Sequence, residues 1–209
     1  EKTLADNFLS YILNNKCLYF INYYDNQRFG MPGGPYNTHL IGKAVVENDW
    51  KQAYEQMKIT NNISSDTTSK KGDVADFKEI FKSINPKKIA FFVSAYDSFL
   101  WNNQASLTVK DNTKSRCHLF ENVGELHLPI DHLSQCPSIC EVNGYDFVPE
   151  KFSVQPKAYK RNLVIATTVY ASQLEVDELH KSKKKITVSF FLPTGSYATM
   201  IIKQIFLRL

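Results

Sequence analysis

Apolar residues recur at helical spacing from the start of the chain: Leu4, Phe8 and Ile12 share one face of a segment from Thr3 to Asn15, which predicts a helix. Cys17 to Ile21 is a short apolar run that reads as a strand, followed by a loop rich in Asn, Gly and Pro through Asn37. Asn37 is placed to cap a helix starting at Thr38. Asp49 is placed to cap a second, Trp50 to Ile59, in which Trp50, Ala53 and Met57 recur at helical spacing. Thr60 to Lys71 is polar and has no apolar period, so it reads as a surface linker in which deletion is tolerated. Asp73 then caps a short helix with Phe77, Ile80 and Phe81 inward, and Pro86 opens the longest helix, Lys87 to about Ser106.

From Cys117 to Tyr159 the pattern breaks into short apolar pieces separated by Gly124, Pro129, Pro137 and the turn signal Asn143-Gly144. This predicts irregular structure with small strands. Leu163 to Thr168 is β-branched and apolar, and Ser172 to Leu179 with Lys185 to Leu192 read as a hairpin around HKSKKK. Gly195 marks a turn, and Ser196 caps a final helix to Leu209. No internal repeat is visible, and the class is α+β.

Composition narrows the picture only modestly. The chain has 209 residues, 43% of them hydrophobic and 22% charged, the balance of a packed globular protein. No apolar run reaches 18 residues, so no membrane span is expected, and no signal peptide is present. Four cysteines without an export signal fit a reducing compartment, which places the protein in the cytoplasm. A net charge of +4 and a pI near 8.7 permit an acidic partner such as RNA without demanding one. The phosphate-binding, nucleophile-elbow, zinc-protease and dinucleotide-binding signatures are all missing from the sequence.

Four features carry candidate chemistry. His127, His132, Cys136 and Cys140 fall within fourteen residues, but their spacing departs from that of zinc modules and apolar residues interleave them as in a core. The run from Lys181 to Lys185 reads either as a solvated hairpin tip or as a phosphate contact. Phe91, Phe92, Tyr96, Phe99 and Trp101 form an aromatic stripe on the long helix, more often core than a stacking platform. The segment INYYDNQRFG, Ile21 to Gly30, clusters Asn22, Gln27, Arg28 and Phe29 in a loop without an evident packing rationale. Arg28 offers a forked donor, Phe29 an aromatic face and the two amides hydrogen bonds, although polar loop residues often only fix a loop's shape.

INYYDNQRFG resembles the Asn-Tyr-Phe-Gly-x-Gln-Arg-Phe-Gly signature of the TruD family of tRNA pseudouridine synthases. SAYDSFLWN, Ser94 to Asn102, is similar to that family's Ser-Ala-x-x-Ser-x-x-Phe-Asn helix, with Ser94, Ala95, Ser98 and Asn102 in register. SFFLPTGSYATMIIKQI, Ser189 to Ile205, resembles its closing Leu-Pro-x-Gly-Ser-Phe-Ala-Thr element, and RNLVIATTVYASQLEVDE, Arg161 to Glu178, its preceding arginine-led strand. The segments occur in the family's order, and the match is weakest over Cys117 to Tyr159.

The resemblance implies isomerisation of uridine to pseudouridine in tRNA, without cofactor or metal, by an aspartate in a Gly-x-Lys-Asp segment upstream of the Gln-Arg-Phe-Gly motif. Nothing before Ile21 matches that segment, and KKGDVADF, Lys70 to Phe77, has its residues in the wrong order and after the motif. No catalytic residue is therefore assigned in this chain, and the nucleophile is expected upstream of Glu1. The substrate-binding candidates are Asn22, Gln27, Arg28, Phe29 and Tyr197, the last standing where the family has a Phe that stacks on the target base. Residues 1–30 and 156–209 are implied to be pieces of a mixed-sheet catalytic domain. Residues 31–155 would be a largely helical insertion, with tRNA in the cleft between and Arg28 and Phe29 on its floor. The chain alone is expected to be inactive. A non-catalytic RNA-binding or scaffold protein derived from the enzyme is the alternative, and a zinc-stabilised module built on the His and Cys cluster a third.

Overall fold

The computed structural model describes residues 3–15, 17–30, 33–60, 74–130 and 136–209. Helix α1 (Leu4–Asn14) is opened by a reciprocal capping box between Thr3 and Asp6. Strand β1 (Cys17–Ile21) leads into the loop that holds a short 3₁₀ turn, Asn26–Arg28. Helices α2 (Thr38–Val46), α3 (Trp50–Ile59), α4 (Val74–Lys82) and α5 (Pro86–Asn112) follow. Strands β2 (Ser115–Phe120) and β3 (Gly124–Pro129) form one hairpin, and β4 (Ile139–Val148) and β5 (Ser153–Asn162) another. Strands β6 (Val164–Ala171), β7 (Glu175–Val176), β8 (Lys184–Lys185) and β9 (Val188–Phe190) precede α6 (Ala198–Phe206). The class is α+β, and the strand pairings among the described residues are antiparallel.

Three apolar clusters hold these elements. In the first, Phe8 and Ile12 of α1 and Ile201 and Ile205 of α6 cover the sheet of order β1-β6-β9 through Leu18, Phe20, Ile165 and Val169. In the second, α2, α3, α4 and the first half of α5 close around Ile41, Val45, Trp50, Met57, Phe81 and Ile89. The third lies between them, where Ile21, Tyr23, Tyr24 and Phe29 meet Trp101 of α5, Leu126 and Leu128 of β3, Leu163 and Met200. Helix α5, about 40 Å long at 1.5 Å per residue, thus contributes to two of the three clusters.

Several expectations change. α5 runs to Asn112 rather than ending near Ser106, because Val109 is still buried beyond that point. Asp49 caps α3 as expected, accepting from Gln52 N at 3.0 Å. Asn37 stands at the N-cap of α2 as expected, but its side chain makes no capping bond. Its amide nitrogen instead donates to the main-chain oxygen and Oε1 of Gln56, both at 2.9 Å. The residue before α6 is Tyr197, with no side-chain cap, and Ser196 Oγ is buried without a hydrogen-bond partner. β9 pairs with β6, while the small hairpin around the lysine run is β7 with β8, so the hairpin expected from Ser172 to Leu192 is divided. The linker 61–73, including Asp73, lies outside the described residues.

Cys117 to Tyr159 is not irregular but is built mainly of two hairpins, and Asn143-Gly144 lies inside β4, paired with Ala158 and Lys157, instead of forming a turn. The reason is steric. A Cβ on Gly144 would fall 2.9 Å from Asp97 Oδ1, so the glycine makes room for an acidic side chain arriving from α5.

Candidate functional site

The loop that leaves β1 is held by side-chain amides acting as substitute strands. Gln204 of α6 accepts from Ile21 N at 3.0 Å and donates to Ile21 O at 2.8 Å. Asn102 of α5 does the same for Tyr24, accepting from its N at 2.9 Å and donating to its O at 3.0 Å. All four groups are buried, where an unmet backbone donor or acceptor would cost about 1–3 kcal/mol, so the two amides fix the loop's path. Gly30 lets the loop turn back on itself, since a Cβ there would sit 2.4 Å from Pro35 O.

Two guanidinium groups are anchored on this frame. Arg28, at the end of the 3₁₀ turn, donates from Nε to Ser98 Oγ at 2.9 Å and from Nη2 to Ser94 Oγ at 2.6 Å, both on α5. Its guanidinium carbon also lies 5.2 Å from the centre of the exposed Phe91 ring. Arg161, in β5, donates from Nε to Asn22 O at 3.0 Å and from Nη2 to Asn22 Oδ1 at 2.8 Å and Gly195 O at 2.9 Å. Its plane lies 4.0 Å from the centre of the Tyr24 ring, within cation–π range. Tyr24 in turn meets the edge of Tyr197 at 5.8 Å and hydrogen-bonds Tyr159 through their hydroxyls. Burial and the Tyr24 contacts push the Tyr159 hydroxyl well above the usual phenol range, and burial raises Tyr197 as well, so both stay neutral donors at neutral pH.

Asp25 is fully buried beneath this surface. Lys203 Nζ donates to its Oδ1 at 2.6 Å, Asn26 N reaches the same oxygen at 2.8 Å, and the Thr199 hydroxyl donates to its Oδ2. Both oxygens are occupied, which suits a clamp between the loop and α6 and not an attacking group.

The five candidate residues divide. Arg28 and Tyr197 are half-buried within one aromatic and cationic surface, linked through Tyr24 and Arg161. Asn22 is buried, its Oδ1 accepting from Arg161 and its Nδ2 donating to Asn162 O at 3.2 Å, so it positions Arg161. Gln27 is exposed on the 3₁₀ turn. Phe29 is fully buried against His39 and Phe99, so its ring supports the loop from below and presents no face to solvent. Burial of His39 there lowers its pKa to about 4, keeping the imidazole neutral. Arg161 and Tyr159 complete the surface, which rests on the buried Tyr24 and Asn102. The signal for Arg161 is its place at the head of the segment that resembles the family's arginine-led strand, whereas nothing local in the sequence marks Tyr159.

The model for tRNA pseudouridine synthase D (TruD) matches residues 2–74. A probable tRNA pseudouridine synthase D from Methanococcus aeolicus is 25% identical over 93% of this chain and 58% of its own length. Relatives in Nanoarchaeum equitans, also a probable tRNA pseudouridine synthase D, and Leptospira interrogans, tRNA pseudouridine synthase D, are 24% and 22% identical, each over 90% of this chain. The chain is similar to TruD enzymes over about nine-tenths of its length. It spans 58 to 63% of the length of these relatives. No solved structure matches it.

In the light of that similarity, the interlock of the quoted segments acquires a structural sense. Ser94, Ser98 and Asn102 of the second segment hold Arg28 and Tyr24 of the first, while Gly195, Thr199, Lys203 and Gln204 of the third hold Arg161, Asp25 and Ile21. The TruD-like segments meet at one place in the fold. The His and Cys cluster does not gather there. His132 lies outside the described residues, His127 hydrogen-bonds Ser115 at 3.0 Å, Cys140 is core, and among the described residues no group of three or more His, Cys, Asp or Glu is set to hold a metal. In the lysine run, Lys185 is neutralised by Glu175 and Glu178 while Lys181 to Lys184 are exposed. Among the described residues no helix is long and apolar enough to cross a membrane.

Proposed function

We propose that this chain forms one wall of the uridine pocket of a tRNA pseudouridine synthase, and that the catalytic aspartate comes from a segment upstream of Glu1. The observation that carries this reading is the cluster of Arg28, Arg161, Tyr24 and Tyr197, where the TruD-like segments converge through hydrogen bonds. Its chemistry suits a flipped uridine. Arg28 and Arg161 offer donors to phosphate or to uracil carbonyls, Tyr197 offers an aromatic edge near the flipped ring, and both tyrosine hydroxyls remain neutral. Lys181 to Lys184 add sequence-independent attraction at a distance.

The clamped state of Asp25 supports placing the nucleophile elsewhere. The catalytic-domain pieces are residues 1–30 and the chain from β6 onward. The pairing of the whole of β5 with β4 supports drawing the second boundary near Leu163, a few residues beyond 155, with an insertion of helices and two hairpins between the pieces. The protein acts in the cytoplasm, where tRNA is its partner.

Tritium release from tRNA carrying 5-tritiated uridine tests the reading. The 209-residue chain is expected to release none, and a chain extended at its amino end to the length of its relatives is expected to release tritium. Release by the chain alone would overturn the placement of the nucleophile. No release by the extended protein, if it folds and binds tRNA, would favour the non-catalytic RNA-binding alternative.

A further inference from the structure

Asp97 lies on α5 one turn from Ser94 and Ser98, which hold Arg28, yet it is used by nothing described so far. It is 6% exposed and its Oδ1 accepts from Tyr145 N of β4 at 3.0 Å. That single backbone donor is a thin complement for a buried carboxylate, which ordinarily draws two or three donors or a paired cation. Arg28 attracts it from a distance, while Asp146 of β4 repels it and Lys157 of β5 attracts it weakly. The protein nonetheless gives up a side chain in the middle of β4 to admit it, since Gly144 is there to clear Asp97. A strand interior disfavours glycine, so two positions in distant parts of the sequence are committed to keeping an incompletely paired carboxylate in place.

It faces a cavity. A recess of about 140 Å³ lies between α5 and the β4–β5 hairpin, lined by Ser94 and Asp97 on one side and Tyr145, Asp146, Lys157 and Tyr159 on the other. Lys157 and Asp146 pair at 3.3 Å across its rim, and the Tyr159 hydroxyl at its wall hydrogen-bonds Tyr24, so the recess adjoins the Arg28 surface. It has room for one planar heterocycle and not for a whole nucleotide. The free edge of Asp97 is an acceptor, which matches the exocyclic amino group of a base and repels a carbonyl.

We infer that this recess is a second base-binding subsite, which takes an amino-bearing base of the RNA near the target uridine and rejects uracil through Asp97. It rests on the RNA reading above and adds to it a specificity determinant outside the uridine pocket. Burial raises the Asp97 carboxyl to about 6, so the acceptor is present at neutral pH and protonated, hence a donor, below that. Asp97 is faced by Arg28, Asp146, Lys157 and Tyr145, with Tyr96 beside it on α5 and Tyr159 in the lining of the recess.

The test is equilibrium binding of short single-stranded RNAs with a central uridine, each carrying cytidine or uridine at one flanking position. These two bases have the same ring size and differ chiefly in the amino or carbonyl group at C4. At pH 7.5 the chain is expected to prefer cytidine at one position by roughly tenfold, the worth of one hydrogen bond to a carboxylate. Asp97→Asn, which turns the free edge from acceptor to donor while keeping an acceptor for Tyr145 N, is expected to reverse or erase the preference. Independently of any variant, the wild-type preference is expected to vanish at pH 5. Binding without preference at every position, or a preference unchanged in Asp97→Asn or at pH 5, overturns the subsite alone. No binding of any RNA overturns the RNA reading and the subsite with it.

Discussion

Asp25 and Asp97 are both buried carboxylates in the neighbourhood of Arg28, and their surroundings differ in kind. Around Asp25 a lysine, a threonine hydroxyl and a backbone N–H fill both oxygens, tying the loop after β1 to α6. Around Asp97 one backbone N–H is met, a glycine is spent to clear the space, and the remaining edge opens on a recess. A saturated buried charge fixes architecture, because removing any partner leaves another stranded. An unsaturated one is tolerated only at a cost in stability, which makes it a candidate for binding.

The largest effect is expected at Asp25. Asp25→Ala leaves Lys203 and Thr199 without their shared acceptor and should lower the unfolding free energy by about 2–3 kcal/mol in urea denaturation. This is below the ~3–5 kcal/mol of a fully buried pair, because the Lys203 side chain is 36% exposed. A loss under about 0.5 kcal/mol would make the two carboxylates alike and dissolve the contrast.

At Asp97 the neighbour should matter more than the charge. Gly144→Ala is expected to cost about 1–3 kcal/mol through overpacking, and the same substitution in an Asp97→Ala background markedly less, with a coupling of about 1 kcal/mol in a double-mutant cycle. Strict additivity would mean that Gly144 serves another purpose.

The smallest effect is a change of slope. A carboxyl raised to about 6 when folded binds its proton more tightly in the native state than in the unfolded chain, so its ionisation costs stability as pH rises from 4 to 7. Asp97→Asn should therefore become progressively more stable relative to wild type across that window, measured by thermal melts at matched ionic strength. A constant difference would contradict the raised pKa. An Asn that stabilises the fold while altering RNA choice is the signature expected of a group kept for binding.

The sequence made the helices legible where capping and spacing agree, as at Asp49 with α3 and Pro86 with α5. It misled at Gly144, because a glycine after asparagine reads as a turn and the pressure that put it there comes from a residue 47 positions away in the chain. β9 was separated from its partner for a similar reason: pairing with β6 is a tertiary choice that local alternation does not express. In the site, Arg28 stood out because a guanidinium in a loop has no packing role, whereas Phe29 beside it reads the same by composition and is buried. Asn102 stood out only as a motif position and Gln204 only as part of a quoted segment, and their work, holding both backbone groups of Tyr24 and Ile21, depends on a fold the spacing cannot show.

The central claim is that the converging segments present an RNA-facing surface rather than a core seam, and Arg28 is the residue that separates the two. Its removal takes one donor from each of two serine hydroxyls, of which Ser98 keeps its bond to Ser94 O, so the fold should survive, while one phosphate or base contact is lost. Binding of unmodified tRNA to the chain, compared between wild type and Arg28→Ala at a fixed salt concentration, should weaken by about tenfold with an unchanged melting temperature. Equal affinities would contradict the account, and so would a lowered melting temperature without a change in affinity.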